Sequence, residues 1–183
     1  MPAKMNSISV DEVIAEFLRA EWYRGHNNEH RVTFDALVRS NEFWNPALNN
    51  KRWDLLEEGR KADFTRFNGR HRSWFLAQIN QDELGSLLSY RSAEEWGFKG
   101  QNLGSLPISF IVENMKKGEA RGGIPLDGGT KAIGDLIIGE FPLDRIILIE
   151  QGPNLVILEG NHRAAAFQLV GRLPRELIIG FNP

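Results

Sequence analysis

A short segment near the end of the chain carries residue types suited to binding an anion. It reads Glu159-Gly160-Asn161-His162-Arg163 and lies between an apolar run and three alanines. The first turn of a helix leaves backbone N–H groups unpaired and carries partial positive charge, so a strand, a glycine and a helix start in this order favour an anion site. Gly160 permits close backbone approach and Arg163 offers a planar fork of donors, which suits phosphate. The candidate phosphate- or nucleotide-binding residues are Gly160, Asn161, His162 and Arg163.

Two side chains of the same segment are candidates for catalysis. Histidine changes charge near neutral pH, so His162 can donate to a phosphate oxygen or carry a proton. Glu159 can orient its neighbours or help to hold Mg²⁺, which prefers carboxylates together with phosphate oxygens. Structural alternatives stay open at this point: His162 as a cap for backbone carbonyls, Glu159 as a turn partner, and Arg163 in an ion pair with Glu159 or Glu176.

Composition narrows the class of protein. A length of 183 residues, with 42% hydrophobic and 25% charged residues, suits one domain or one domain with a helical extension. The net charge of −2 argues weakly against a dedicated nucleic-acid binder. No apolar run approaches the roughly 20 residues of a membrane span, and the first residues lack the apolar core of a signal peptide. Cysteine is absent, which excludes disulfides, thiolate metal sites and cysteine nucleophiles. We expect a cytoplasmic protein with no membrane partner.

The first part of the chain is predicted to be mostly helical. Ser9 and Glu12 have the spacing of a capping box, and apolar residues recur behind them at helical spacing. This pattern predicts a helix over about 10–23, and weaker patterns predict helices over about 34–39 and 51–59.

From Trp74 onward the pattern becomes mixed. We expect strands over 73–79, 145–150, 154–158 and 177–179. We expect a short turn or helix over 82–88, a helix that begins at Pro107, and a helix over 162–170 that ends at Gly171. The segment 118–134 holds six glycines and a proline, so we interpret it as a long loop, either functional or a plain insertion.

The segment Glu159–Ala166, followed by Gly171 and a closing strand, resembles the ParB/sulfiredoxin superfamily. In that superfamily a Gly-x-His-Arg or similar turn follows a strand and opens a helix. The resemblance is best over residues 145–180, extends with an insertion from about Trp74, and finds no counterpart in residues 1–72. It implies a nucleotide-phosphate site at this turn.

Three branches of the superfamily compete. Sulfiredoxins have a cysteine where Asn161 stands, so their reaction is excluded. Partition ParB proteins carry Glu-Arg where Asn161-His162 stands, which argues against a chromosome-partition role. The His-Arg pair is closest to the branch that resembles free-serine kinases, in which an acidic residue acts as base toward a small hydroxyl substrate. The resemblance places that acid after the first strand, where the candidates are Asp82, Glu83, Glu94 and Glu95.

Two other segments resemble functional motifs but are better explained by structure alone. The run from His26 to His30 has the H-x-x-E-H order of inverted zinc peptidases, but a glycine and two asparagines disfavour the helix that this chemistry needs. The segment 60–72 interleaves basic and aromatic residues, as in a strand-binding surface, and we interpret it as an amphipathic linker.

The sequence therefore predicts an α/β (α+β) domain of ParB/sulfiredoxin type over residues 73–183, with a small mixed sheet, after a helical extension over 1–72. The expected function is that of an ATP- or other nucleotide-binding enzyme that transfers or hydrolyses a terminal phosphate with Mg²⁺, such as a small-molecule kinase with a hydroxyl-bearing acceptor. The predicted catalytic residues are His162, Glu159, Glu94 and Glu95, and no resident protein metal site is predicted. The alternatives are a ParB-like nuclease or DNA-associated factor, and a non-catalytic regulatory module switched by nucleotide.

Overall fold

A computed structural model describes residues 3–22, 37, 45–59, 67, 72–99, 104–141 and 143–182. The chain forms two compact units. Unit 1 consists of Met1–Met5 and Leu76–Ile179, and unit 2 of Asn6–Phe75 and Gly180–Pro183. The part of the chain that the structure describes contains six α-helices and a six-stranded mixed sheet, which confirms the mixed α/β class.

Five of the six α-helices have 10 to 13 residues, close to the usual length in globular proteins, and one has six. They are α1 (Val10–Trp22), α2 (Asn49–Gly59), α3 (Gln81–Ser86), α4 (Ile108–Lys117), α5 (Gly128–Ile138) and α6 (Asn161–Val170). Within the described ranges none of them is long and apolar enough to cross a membrane.

The six strands are β1 (Ala3–Ile8), β2 (Ser73–Gln78), β3 (Leu88–Ser89), β4 (Ile147–Gln151), β5 (Asn154–Glu159) and β6 (Leu177–Phe181). Their order in the sheet is β1-β2-β6-β4-β5-β3. Strand β5 pairs with β4 in antiparallel register and with β3 in parallel register, so the sheet is mixed. The predicted hairpin of β4 and β5 is confirmed.

Unit 2 holds the first two helices and an aromatic cluster. The predicted capping box is present, because Glu12 accepts from the backbone N–H of Ser9 at 2.8 Å and donates its own N–H to Ser9 Oγ at 3.2 Å. Phe17 packs edge-on against Phe67 at 5.2 Å between ring centroids. The predicted helices over 10–23 and 51–59 are confirmed as α1 and α2. The predicted helix over 34–39 lies outside the described residues apart from Leu37, which is helical.

Unit 1 contains the candidate site and is built around α6. Helices α4 and α5 both pack against α6, whose three consecutive alanines, Ala164–Ala166, are fully buried. Small side chains there let the neighbouring helices lie close. Strand β5 reaches α6 through Gly160 alone, and α6 ends at Gly171 in the left-handed conformation (φ +68°). The predicted order of strand, glycine, helix and glycine stop is confirmed.

The predicted loop over 118–134 is wrong in its second half. Asp127 caps a helix, α5, whose first turn begins with Gly128 and Gly129. Glycine weakens isolated helices, but packing against α6 supplies stability that local propensity does not. Strands β1 and β3 were also not predicted; β3 has only two residues, too few for an alternating pattern.

Candidate functional site

The turn between β5 and α6 is set by Gly160. Its φ of +98° lies in the left-handed region, where side chains cost about 1–2 kcal/mol. A Cβ atom there would come within 3.1 Å of the Arg163 guanidinium and 3.2 Å of Ile146. The Gly160 carbonyl accepts from Ala164 N–H at 2.9 Å, and no side-chain cap is found among the described residues at this helix start. The glycine is therefore required by both backbone and space.

Asn161 ties the start of α6 to the loop after β3. Its side chain is buried, and its Oδ1 accepts from Ser89 Oγ at 2.9 Å and from the backbone N–H of Tyr90 at 3.2 Å. The same Ser89 Oγ accepts from the indole N–H of Trp96 at 2.8 Å. The Asn161 side chain thus fixes the loop 89–96 against the helix start through its Oδ1.

His162 stands at the centre of the site, partly exposed. Its Nδ1 lies 2.7 Å from Asp127 Oδ2, and Arg91 Nη1 contacts its Nε2. Because a carboxylate only accepts, Nδ1 carries the proton of the neutral ring, and Nε2 is the acceptor that faces the guanidinium. The three side chains form a chain from carboxylate to imidazole to guanidinium.

Trp96 contacts both the His162 imidazole and the Arg91 guanidinium. Its buried ring lies 5.2 Å from the His162 ring, and the Arg91 guanidinium carbon sits 4.8 Å over its centroid. Arg91 also donates through Nη2 to the backbone carbonyl of Glu95 at 3.2 Å. Stacking and hydrogen bonding therefore hold the Arg91 guanidinium in place next to His162.

The N-terminus of a second helix, α5, also meets His162. Asp127 accepts from Thr130 N–H at 2.8 Å and Thr130 Oγ1 at 3.1 Å, which caps α5. A Cβ atom on Gly129 would lie 3.5 Å from His162 Nδ1, so the backbone of this helix start packs against the imidazole. Burial alone raises the pKa of Asp127, but the hydrogen bonds from Thr130 and the interaction with His162 together outweigh it and hold that pKa below its usual value.

Arg163 lies in a buried ion-pair group. Its Nη2 is 3.0 Å from Glu159 Oε1 and its Nη1 is 3.6 Å from Asp144 Oδ2. Glu159 and Arg163 are only 4% and 8% exposed. Of the interpretations left open by the sequence, the pairing with Glu159 is the one present, with Asp144 as a second partner, whereas Glu176 pairs with Arg145. Arg163 and Glu159 therefore hold the turn together from beneath.

The four acidic residues proposed as bases have different surroundings. Glu83 caps α3, and the backbone N–H of Asn80 lowers its pKa. Glu95 accepts from Ser92 N–H at 2.7 Å, which lowers its pKa in the same way. Asp82 and Glu94 are exposed. The backbone carbonyl of Glu95 accepts from Arg91, but the Glu95 carboxylate accepts from Ser92 in its own turn.

The residues that sequence reasoning missed are Asp127, Thr130, Arg91, Trp96 and Ser89. A signal for the first two existed, because Asp127 has the spacing of a helix cap to Thr130 and apolar residues follow at helical intervals. Arg91 and Trp96 come from a loop, and no local pattern places them next to His162.

The side chains around His162 could supply only part of the ligand shell of a metal ion. Across the described residues, no three His, Cys, Asp or Glu side chains cluster to hold a metal ion. Mg²⁺ needs only one or two carboxylates when phosphate oxygens complete its shell. Within those residues the side-chain contacts of Asp127 all fall on Oδ2, which leaves Oδ1 for a cation. A Mg²⁺ ion at Asp127 would therefore depend on phosphate oxygens for most of its ligands.

The segments His26–His30 and 60–71, apart from Phe67, lie outside the described residues, so the peptidase-like motif and most of the basic linker stay predictions.

Comparisons of the chain with family models, with curated proteins and with solved structures find no match.

Proposed function

We propose that the chain binds a nucleoside triphosphate such as ATP at His162 and transfers or hydrolyses its terminal phosphate. The observation that carries the proposal is that the starts of α5 and α6 and the Arg91 guanidinium all meet at this one imidazole. Each helix start contributes roughly half a positive charge. Arg91 and Asp127 cancel around the imidazole, so the positive potential there comes from the two helix starts. That balance, with backbone N–H groups at both helix starts, favours a phosphate group.

The proposed phosphate contacts differ from those expected from the sequence. The α6 backbone and Arg91 bind phosphate oxygens, while Arg163 supports the turn through Glu159 and Asp144. Arg91 suits this role because its guanidinium is already stacked on Trp96 and little rotamer freedom is lost on binding.

His162 is the proposed general base. Asp127 holds the proton on Nδ1, so Nε2 is the basic nitrogen. When Arg91 Nη1 exchanges its contact with Nε2 for one with a phosphate oxygen, while the guanidinium stays stacked on Trp96, Nε2 becomes free to accept the proton of the acceptor hydroxyl. The acceptor oxygen bonds to the terminal phosphorus, the bond from that phosphorus to its bridging oxygen breaks, and the nucleoside diphosphate leaves. With water as acceptor the same step is hydrolysis.

Mg²⁺ in this proposal arrives with the nucleotide. Asp127 Oδ1 is the side-chain oxygen that would hold it, and the ion would neutralise charge on the phosphates. We also propose that residues 73–183 form a domain of ParB/sulfiredoxin type, supported by the turn Gly160–Arg163 between β5 and α6.

The test is calorimetric titration of tripolyphosphate and of MgATP into the protein and into two variants. Arg91→Ala is expected to weaken binding of both ligands about ten- to a hundredfold, the worth of a hydrogen bond to a charged group. Arg175→Ala removes the same charge from an exposed residue and should leave both affinities unchanged.

His162→Gln separates binding from chemistry. It should keep nucleotide affinity within a few fold and lower phosphate release or transfer by about a hundredfold or more. Equal effects of the two arginine variants, or the absence of tripolyphosphate binding, would refute the proposed function.

A further inference from the structure

A cavity of about 360 Å³ opens beside the candidate site. It lies within unit 1. Its walls come from the segment 97–99, from Phe110 and Asn114 of α4, and from Glu119 and residues 122–125 of the loop between α4 and α5. This volume is in the range of small-molecule and cofactor sites. None of its lining residues belongs to the cluster around His162.

The wall of this cavity presents an aromatic face. Phe98 is buried and stacks on Phe110 with 5.6 Å between centroids and 24° between ring planes. Phe110 itself is 41% exposed. An exposed ring backed by a buried ring is a rigid platform on which a flat, aromatic ligand can stack.

Polar groups around the platform match a heterocycle better than a hydrocarbon. The buried Asn114 donates its Nδ2–H to the Phe110 carbonyl at 2.8 Å, and among the described residues no hydrogen bond reaches its Oδ1. Glu119 adds a carboxylate and Lys99 an ammonium group to the lining. Two acceptors and a charged donor beside a stacking face suit a base that carries an amino group.

Two chain segments lead from this cavity to the phosphate site. Trp96, whose ring packs at a tilt against His162, is followed directly by Gly97 of the cavity wall. Pro125 of the same wall precedes Asp127 by two residues, a separation of at most about 7 Å along the chain. A Cβ atom on Gly97 would lie 3.4 Å from Pro125, so the two segments run side by side.

We propose that this cavity binds the purine base of the nucleotide whose phosphates bind at His162. The inference rests on the proposed function and adds to it the ligand class, an amino-bearing purine stacked on Phe110. The cavity is large enough for the two fused rings of a purine, which present more stacking area to Phe110 than a single ring does. The base contributes affinity that an inorganic polyphosphate lacks.

The experiment compares MgATP, MgCTP and magnesium tripolyphosphate by calorimetry on the intact chain. Phe110→Leu removes the ring but keeps an apolar side chain, and Phe110→Tyr keeps the ring. Phe141→Leu is the matched control, because Phe141 is exposed and lies outside the cavity. Circular dichroism and urea unfolding establish that each variant is folded.

The expected result is that Phe110→Leu weakens ATP binding about ten- to a hundredfold, the usual range for loss of a base-stacking ring. Tripolyphosphate affinity should not change, and Phe110→Tyr and Phe141→Leu should bind ATP as the unsubstituted protein does. ATP should bind more tightly than CTP.

Each contrary outcome identifies what fails. If the unsubstituted protein binds tripolyphosphate and ATP equally tightly, or Phe110→Leu leaves ATP affinity unchanged, the cavity does not hold the base although the phosphate site stands. If CTP binds as tightly as ATP, the purine assignment is wrong. If the protein binds none of the three ligands, the proposed function itself fails and this inference falls with it.

Discussion

Replacement of Arg163 by methionine is expected to destabilise the protein by about 3–5 kcal/mol, the usual cost of removing one partner from a buried ion pair. The reason lies in its surroundings: Glu159 is 3.0 Å away and 4% exposed, and Asp144 is 3.6 Å away. Methionine fills a similar volume, so little of this cost comes from an empty space. Without the guanidinium, the two carboxylates lose the cation that they share, in a site with little water.

The matched substitution Glu159→Gln removes one of the two acidic partners of Arg163 and tests whether that costs less than removing Arg163 itself. Arg163 would keep Asp144 as an ionic partner, so the expected cost is smaller, about 1–3 kcal/mol. The double variant should lose less stability than the sum of the two single variants, by about 0.5–3 kcal/mol, because the second change removes a group whose partner is already gone.

Urea unfolding followed by tryptophan fluorescence measures all three free energies. The reasoning would be refuted if Arg163→Met cost less than about 1 kcal/mol, the range of exposed ion pairs. It would also be refuted if Glu159→Gln cost as much as Arg163→Met. Tripolyphosphate titration on the folded fraction adds a second criterion, since a supporting role predicts a weaker effect on affinity than Arg91→Ala has.

Three further predictions concern the same unit. Gly160→Ala should cost more than Gly171→Ala by about 1 kcal/mol or more, because both have positive φ but only Gly160 is crowded; urea midpoints decide this, and equal costs would contradict it. Gly123→Ala should destabilise by about 3 kcal/mol, since its Cβ would lie 2.2 Å from the Asn114 carbonyl oxygen, and a change below about 1 kcal/mol in thermal or urea unfolding would contradict that packing. The lowered pKa of Asp127 stabilises the folded state above the usual aspartate pKa of about 4, and this contribution is lost as pH falls through the folded value. Asp127→Asn, compared at pH 7 and pH 3, should therefore lose less stability on acidification than the unsubstituted protein, and an equal loss would contradict the assignment.

The turn at Gly160 could be predicted from the sequence because its signals are local. An apolar run, a glycine and three alanines follow one another, and each element is decided by its own residues. The same holds for the capping box of Ser9 and Glu12. What these signals could not give is the partner of each side chain: they leave open whether Arg163 binds phosphate or pairs with an acidic residue, and in the structure Glu159 and Asp144 lie against it.

The rest of the site depends on contacts between distant parts of the chain. Asp127 and His162 are 35 positions apart, and they meet because α5 packs on α6. The glycines at the start of α5 disfavour a helix in isolation, so its prediction required knowledge of that packing. Arg91 reaches His162 from a loop placed by a parallel strand of two residues, for which no periodicity exists.

The central claim is that a polyphosphate binds where the starts of α5 and α6 meet at His162. Backbone amide NMR shifts of the labelled protein, followed during titration with magnesium tripolyphosphate, test it directly. We predict saturable shifts at Gly128, Gly129, Asn161 and His162. In Arg91→Ala the apparent affinity for tripolyphosphate obtained from these shifts should be at least tenfold lower. Shifts confined to other parts of the chain, or no shifts at these four amides at saturating ligand, would contradict the account.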